Sequence, residues 1–338
     1  MRVQFPPQNL ADAFIAYRNY LEDLARTVRE KYGTGDTCVR GVHDAVLAQD
    51  QVQRLQRRQV DPVRHPILGK RLRACWHQLR IMRAEVDDPD GYDDEANATL
   101  PILAYFAAFH GSLAVTAASN EPVPTDHNAA LRAISTHATA GRFPYPWSAS
   151  CSGCPQLSMA TFAGFPFVPT GRVNPLTSPG PATSEERFAT LLRTTREKEL
   201  ERRFAEARRR GVAAGASRRN LRRKEKERLA TSLAPTTLFD VLWRLRKKAS
   251  YDDAEVFVLG AASEHDAWRF ADAVVTVADT TVAALEALVV AYLGPDVVAE
   301  TLAAYIRRCG AGRAACLEAR HTSIASRCRR NRTSRWRC

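Results

Sequence analysis

Arg244 and Arg246 sit on a tryptophan-bearing segment that ends in a ring and two carboxylates, Tyr251, Asp252 and Asp253. Leu238, Leu242 and Leu245 fall at i, i+4 and i+7, so they form the buried stripe of a helix. The arginines then occupy its polar side and its C-terminal end, where the helix dipole favours cations. The expected arrangement anchors the Tyr251 ring in the core and pairs Asp252 or Asp253 back to Arg244, Arg246 or a neighbouring helix end. A second segment with chemistry to offer is 101–118, in which Tyr105, Phe109 and His110 interrupt a run of small apolar residues. Leu103, Ala107, His110 and Ala114 share one helical face. His110 therefore lies on a buried stripe, either as a core histidine bonded to a neighbouring helix or as a catalytic group or ligand.

Guanidinium forks bind phosphate bidentately, and released counterions drive such association. Two stretches have that character. On a chain of net charge +12, residues 184–228 hold 16 basic and 8 acidic residues and residues 305–338 hold 10 and 1, which leaves the remainder mildly acidic. That asymmetry points to a polyanionic partner more strongly than the overall charge does. The candidate nucleic-acid contacts are Arg196, Arg202, Arg203, Arg218, Arg219, Arg222, Arg223 and Lys224, and in the tail Trp336 is placed to stack on a base. The opposing reading is a solvated, salt-laced helix and a frayed terminus. Cys151 and Cys154 have C-x2-C spacing, but a tetrahedral zinc site needs two further ligands and no second C-x2-C follows. No metal and no cofactor is expected, and there is no Walker loop, G-x-G-x-x-G, H-E-x-x-H or G-x-S-x-G.

These side chains must be positioned by helices, because the apolar periodicity is helical nearly everywhere and no alternating strand or two-residue hairpin signal stands out. The sequence reads as an all-α helical bundle with a long irregular insertion and charged helices. Helices are expected at 9–31, 40–59, 66–86, 99–119, 125–140, 184–210, 215–232, 236–249, 264–293 and 296–309. The clearest is 264–293, where Trp268, Ala271, Val275, Ala278, Val282, Leu285, Val289 and Tyr292 keep a seam in steps of three and four. On another face Asp272, Asp279 and Glu286 recur every seven residues, as a solvated stripe or as a docking line for an arginine-rich helix. Residues 1–65 form an N-terminal helical region, 141–183 a Pro/Gly-rich loop, 184–234 a basic helical insertion and 311–338 a basic disordered tail.

An apolar content of 45% is enough for a core. The best membrane candidate, 266–294, is interrupted by three carboxylates, and the N-terminal residues lack an apolar signal region. The eight scattered cysteines are expected as reduced thiols. The expectation is a cytoplasmic protein with no membrane partner.

The pattern Ala104-Tyr105-Phe106-Ala107-Ala108-Phe109-His110, His127 at the head of the next helix, and Arg244, Arg246, Ala249, Tyr251 and Asp252 late in the chain resemble a HEPN domain. The resemblance covers roughly 66–140 and 235–310, with the intervening residues inserted. It implies an up-down bundle, a homodimer, and an RNA-contacting role in toxin–antitoxin or phage-defence systems, where a cognate protein partner is expected. His110, Arg244, Arg246, Tyr251 and Asp252 are the candidate catalytic set. In nuclease members of that superfamily the active element is R-x4-6-H, whose arginine neutralises phosphate while the histidine moves the proton, without a metal. This chain departs from it, since no histidine follows Arg246 until His265. Arg132/His137, Arg71/His77 and Arg58/His65 have the spacing, but a chain this rich in arginine produces such matches by chance. A non-enzymatic scaffold that binds a protein partner through its charged insertion is the alternative.

Overall fold

In a computed structural model of the chain, the described residues are 7–57, 59, 64–87, 95–177, 184–213, 220–252, 254–310, 317–318 and 320–326. In chain order the helices are α1 (Pro7–Tyr32), α2 (Gly35–Leu47), α3 (Asp50–Gln53), α4 (His65–Val86), α5 (Ala96–Ala118) and α6 (His127–Thr139). After a hairpin of β1 (Ser150–Cys154) and β2 (Met159–Ala163) come α7 (Ser184–Ala213), α8 (Arg223–Thr231), the two-residue β3 (Thr236–Thr237) and α9 (Leu238–Lys247). A π turn, Lys248–Asp252, leads into α10 (Ala254–Leu259), α11 (Glu264–Leu293) and α12 (Pro295–Cys309). The protein is mostly helical, as the periodicity requires.

The strut is α11. The Ser263 hydroxyl accepts the Asp266 N–H at 3.2 Å to start it, and Gly294-Pro295 ends it. From Ala271 to Tyr292 the seam is buried, with α1, α2, α4 and α5 packed around it. A Cβ on Gly111 of α5 would lie 2.7 Å from Leu285 Cδ1, so the closeness of α5 to α11 depends on that glycine. Both α5 and α11 are long and apolar enough to cross a bilayer, and both are mostly buried among the other helices. Trp268 departs from the expected seam. It is 44% exposed, since it sits near the open N-terminal end of α11, beside Glu22 and Arg269.

The carboxylate row on α11 is neither solvated nor covered by α7. Asp272 pairs with Arg29 of α1 at 2.5 Å, Asp279 with Arg83 of α4 and with Arg320 at 2.6 Å, and Glu286 with Arg320. Arg320 belongs to the stretch expected to be a disordered tail, yet residues 320–326 are helical and Arg320 is 1% exposed. Burying a guanidinium is tolerable only where anions and acceptors surround it, and this row supplies them. Residues 327–338, with Trp336, lie outside the described residues.

The expected loop 141–183 also needs correction. Phe143 and Trp147 are buried in the main core, and the Trp147 indole donates to Thr281 Oγ1 at 3.0 Å. A three-stranded antiparallel sheet in the order β2-β1-β3 follows. Ser150 to Cys154 lacks the β-branched alternation that marks a strand, and the linking turn is longer than two residues, so no sequence rule flags it. Gly153 is required there, because a Cβ would come within 1.9 Å of Met159 O at φ +74°.

Phe188, Leu191, Leu192, Leu200 and Phe204 are buried and anchor α7. The last two join Cys154 and Ala230 in a small separate core, so the basic insertion is packed as well as charged.

Candidate nucleic-acid interface

One face of α9 borders two neighbours at once. Residues Asp240, Trp243, Arg244 and Lys247 follow the i, i+3, i+4, i+7 spacing of one helical face. That face, the Asn128–Arg132–Ser135 face of α6 and the Lys198–Arg202 face of α7 enclose a cleft of about 210 Å³. The start of α9 is fixed by a reciprocal cap. Asp240 accepts the Thr237 N–H at 2.7 Å and the Thr237 hydroxyl at 3.1 Å. Burial pushes the Asp240 carboxyl up to about 6, although those hydrogen bonds oppose it. Six cations, Arg132, Lys198, Arg202, Arg203, Arg244 and Lys247, border the cleft against Glu199 and Asp240. Arg202 and Arg203 share Glu199 at 2.7 and 3.0 Å.

The two arginines that sequence reasoning grouped are separated by helix geometry. Two residues apart on a helix is about 200° of rotation, so they point to opposite sides. Arg244 donates to Thr194 Oγ1 at 2.9 Å and Thr195 Oγ1 at 3.1 Å, tying α9 to α7. Arg246 instead lies among three rings, with its guanidinium carbon 5.0 Å from the centroid of Trp243, 5.3 Å from Tyr251 and 5.7 Å from Phe106.

Tyr251 contradicts the expected core anchor, because its ring is 73% exposed. The π turn carries it past the end of the bundle, where the Arg246 guanidinium is its cationic neighbour. Tyr251→Ala is accordingly expected to change stability by no more than about 0.5 kcal/mol, as for a surface substitution. A thermal melt lowered by many degrees would show the ring to be buried after all. Asp252 closes the π turn, and its side chain, like Asp253, lies outside the described residues.

His110 is partly buried rather than sealed in the core. Arg71 donates to its Nδ1 at 3.3 Å, and its ring stacks near Phe106 with centroids 6.3 Å apart. Burial, then Arg71, Lys70 and His127, hold it down to about 4, so it is neutral at pH 7. The histidine closest to the α9 aromatic face is His127, which was absent from the candidate set. Its Nδ1 shares a 2.7 Å hydrogen bond with the Tyr105 hydroxyl, and its ring stacks on Trp243 at 4.9 Å and 22°. The signal for it was the position at the head of α6 directly after the aromatic helix. His137 is a core residue: it is buried, its Nδ1 accepts from Arg142 at 2.6 Å, and burial holds it down to about 4. Arg132 is exposed on the same helix about 140° away, so the Arg132/His137 spacing assembles no pair.

The candidate phosphate contacts divide in four. Arg202 and Arg203 reach the cleft. Arg222, Arg223 and Lys224 are exposed but stand at the opposite end of α8 from Ser232 and Leu233, the part that borders the cleft. Arg223 pairs with Glu227 at 2.8 Å. Arg218 and Arg219 lie outside the described residues. Arg196 is overturned as a phosphate contact, because it is 0% exposed. Its Nε donates to Gly153 O at 2.7 Å, and its other nitrogens donate to Ala230 O and Ala234 O, both at 2.9 Å.

Cys151 and Cys154 are three apart on a strand and therefore on opposite faces. Cys151 enters the main core and Cys154 the small one, so the pair cannot share an ion. Among the described residues no group of three or more histidine, cysteine or carboxylate side chains is placed to hold a metal. No family model, no curated protein and no solved structure matches the chain.

Proposed function

We propose that this protein binds single-stranded RNA along the α6–α7–α9 cleft, as a HEPN-like protein of the toxin–antitoxin or phage-defence kind. The observation that carries the reading is the juxtaposition of a cleft bordered by six cations with the His127–Trp243 stack. Phosphates favour the first and unpaired bases the second, and single-stranded RNA offers both at short spacing. The partly exposed pairs that Glu199 makes with Arg202 and Arg203 lie within one turn of α7 and are worth about a few tenths of a kcal/mol, so a phosphate can displace them.

The test is anisotropy of a labelled 20-nucleotide oligouridine over a salt series. Charge reversal at Arg132, Lys198 and Lys247 is expected to weaken binding at least ~10-fold and to lower the salt slope by about 0.7 per lost contact. Reversal at Arg222, Arg223 and Lys224 is expected to do less, since those residues lie away from the cleft. In EDTA the RNA is expected to remain intact, because His110 and His127 are both held neutral by burial and by nearby cations. Cleavage that leaves 2′,3′-cyclic phosphate and is lost in His127→Ala or His110→Ala would make the protein a ribonuclease.

A second reading is favoured by the self-pairing of α7, where Arg193–Glu197, Lys198–Glu201 and Arg210–Glu206 join the Glu199 pairs. A helix neutralised along its own face suits a scaffold that docks a protein partner. Equal RNA affinity and equal salt slope for wild type and the cleft variant would select that reading.

A further inference from the structure

The small sheet ends in an unguarded edge. β2 pairs with β1 in an unbroken antiparallel register from Met159↔Cys154 to Ala163↔Ser150, and among the described residues no further backbone hydrogen bond reaches it. Its outer N–H and C=O groups are a template for one more strand, and proteins ordinarily blunt such edges with lysine, proline or a bulge. β2 has none of the three. Met159, Thr161 and Ala163 alternate toward solvent, while Ala160 and Phe162 pack on the main core.

The surroundings of this edge are apolar. Charged residues make up 25% of the chain, yet 143–171 contains no Asp, Glu, Lys, Arg or His. The rings of Phe162, Phe165 and Phe167 follow one another at centroid distances of 5.9 and 6.4 Å, and the row runs out to solvent at Phe167 and Val168, which are 40% and 92% exposed. Contiguous exposed apolar surface of this kind marks an interaction site. Charge returns at one end. Arg223 Nη2 approaches Met159 Sδ at 3.8 Å, and its neighbours Arg222 and Lys224 are exposed. Met159 begins β2, so the C-terminal end of an antiparallel strand laid on this edge would reach those cations.

We propose that β2 takes an extended segment of a partner protein as a fourth, antiparallel strand. Alternate apolar side chains of that segment rest on Phe162, Phe165 and Phe167, and carboxylates at its C-terminal end meet Arg222, Arg223 and Lys224. Backbone pairing selects an extended chain, and the cations fix its direction. The inference does not rest on the RNA reading, since neither β2 nor these cations line the cleft.

The experiment uses the full chain and fluorescence anisotropy of a labelled, C-amidated peptide of three valine-threonine repeats followed by two glutamates. Replacing the glutamates by lysines, or moving them to the N-terminal end, is expected to weaken binding at least ~10-fold, the scale of one charge-assisted hydrogen bond. The triple variant Arg222→Glu, Arg223→Glu, Lys224→Glu should reverse the preference and take the lysine peptide. N-methylation of alternate residues along one edge of the peptide should abolish binding, while the same change along its other edge is tolerated, because one edge of the peptide pairs with β2. Amide exchange of 159–163 should slow in the complex. If the triple variant does not fold, Val168→Asp, at an exposed position, should still weaken the glutamate peptide several-fold. Equal affinity for the glutamate and lysine peptides, equal affinity for the two N-methylated forms, or absence of binding would overturn the proposal. Self-association of the protein that protects 159–163 without peptide would also overturn it, by making the occupant of the edge a second copy of this chain.

Discussion

Arg320→Met is expected to lower the unfolding free energy by about 3–5 kcal/mol, the scale of removing one partner from a buried ion cluster. Arg320 is the cation common to Asp279 and Glu286, and the latter also accepts from Trp76 Nε1 and lies 3.3 Å from His43 Nε2. Burial by itself would raise the Glu286 carboxyl. Arg320, His43 and Trp76 outweigh it and hold it below the usual range. For Asp279, Arg320 and Arg83 do the same against burial. Carboxyls depressed in the folded state contribute stability that is present above their unfolded pKa and lost as pH falls through the folded value. Without Arg320 burial dominates, both carboxyls rise, and the dependence changes sign. The variant should therefore be least stable near neutral pH and recover part of the loss on acidification toward pH 5. Denaturant melts at pH 7 and 5 check both statements. A loss under about 1 kcal/mol at pH 7 would mean that Arg320 is not seated on the row. Combining Arg320→Met with Glu286→Gln should restore part of the loss, because the orphaned charge is then gone.

Arg196→Met is expected to cost about 3–5 kcal/mol as well, through three buried carbonyls that lose their donor at roughly 1–3 kcal/mol each, partly offset by relaxation. Those carbonyls belong to Gly153 on β1, Ala230 at the end of α8 and Ala234 before β3. One planar fork thus pins the sheet and α8 to α7. Lysine should rescue little, since a single ammonium on a flexible stem cannot span the three acceptors. The variant should lose RNA affinity only to the extent that it unfolds. If it stayed fully stable and lost affinity with a reduced salt slope, Arg196 would be a phosphate contact and its buried position wrong.

Both residues mark the border between what the chain sequence determines and what only packing decides. Most of the long helices and the α11 seam from Ala271 to Tyr292 follow from apolar spacing alone, because a period of 3.6 is written into local sequence, whereas the short α10 and the break between α2 and α3 do not. Nor does the setting of a charge. An arginine looks the same in sequence whether it is solvated like Arg202, stacked among rings like Arg246, or buried like Arg196, Arg187 and Arg320. The difference lies in which distant carbonyls and carboxylates the fold brings within 3 Å, and those partners are 34 to 43 residues away for Arg196 and Arg320. The sheet escaped detection for a related reason, as Ser150 to Cys154 pairs through backbone groups that every residue carries. Tertiary structure alone separated Arg244 from Arg246 and placed His127 on Trp243, because neighbours in sequence can face opposite sides of one helix while residues far apart in the chain share a face of the site.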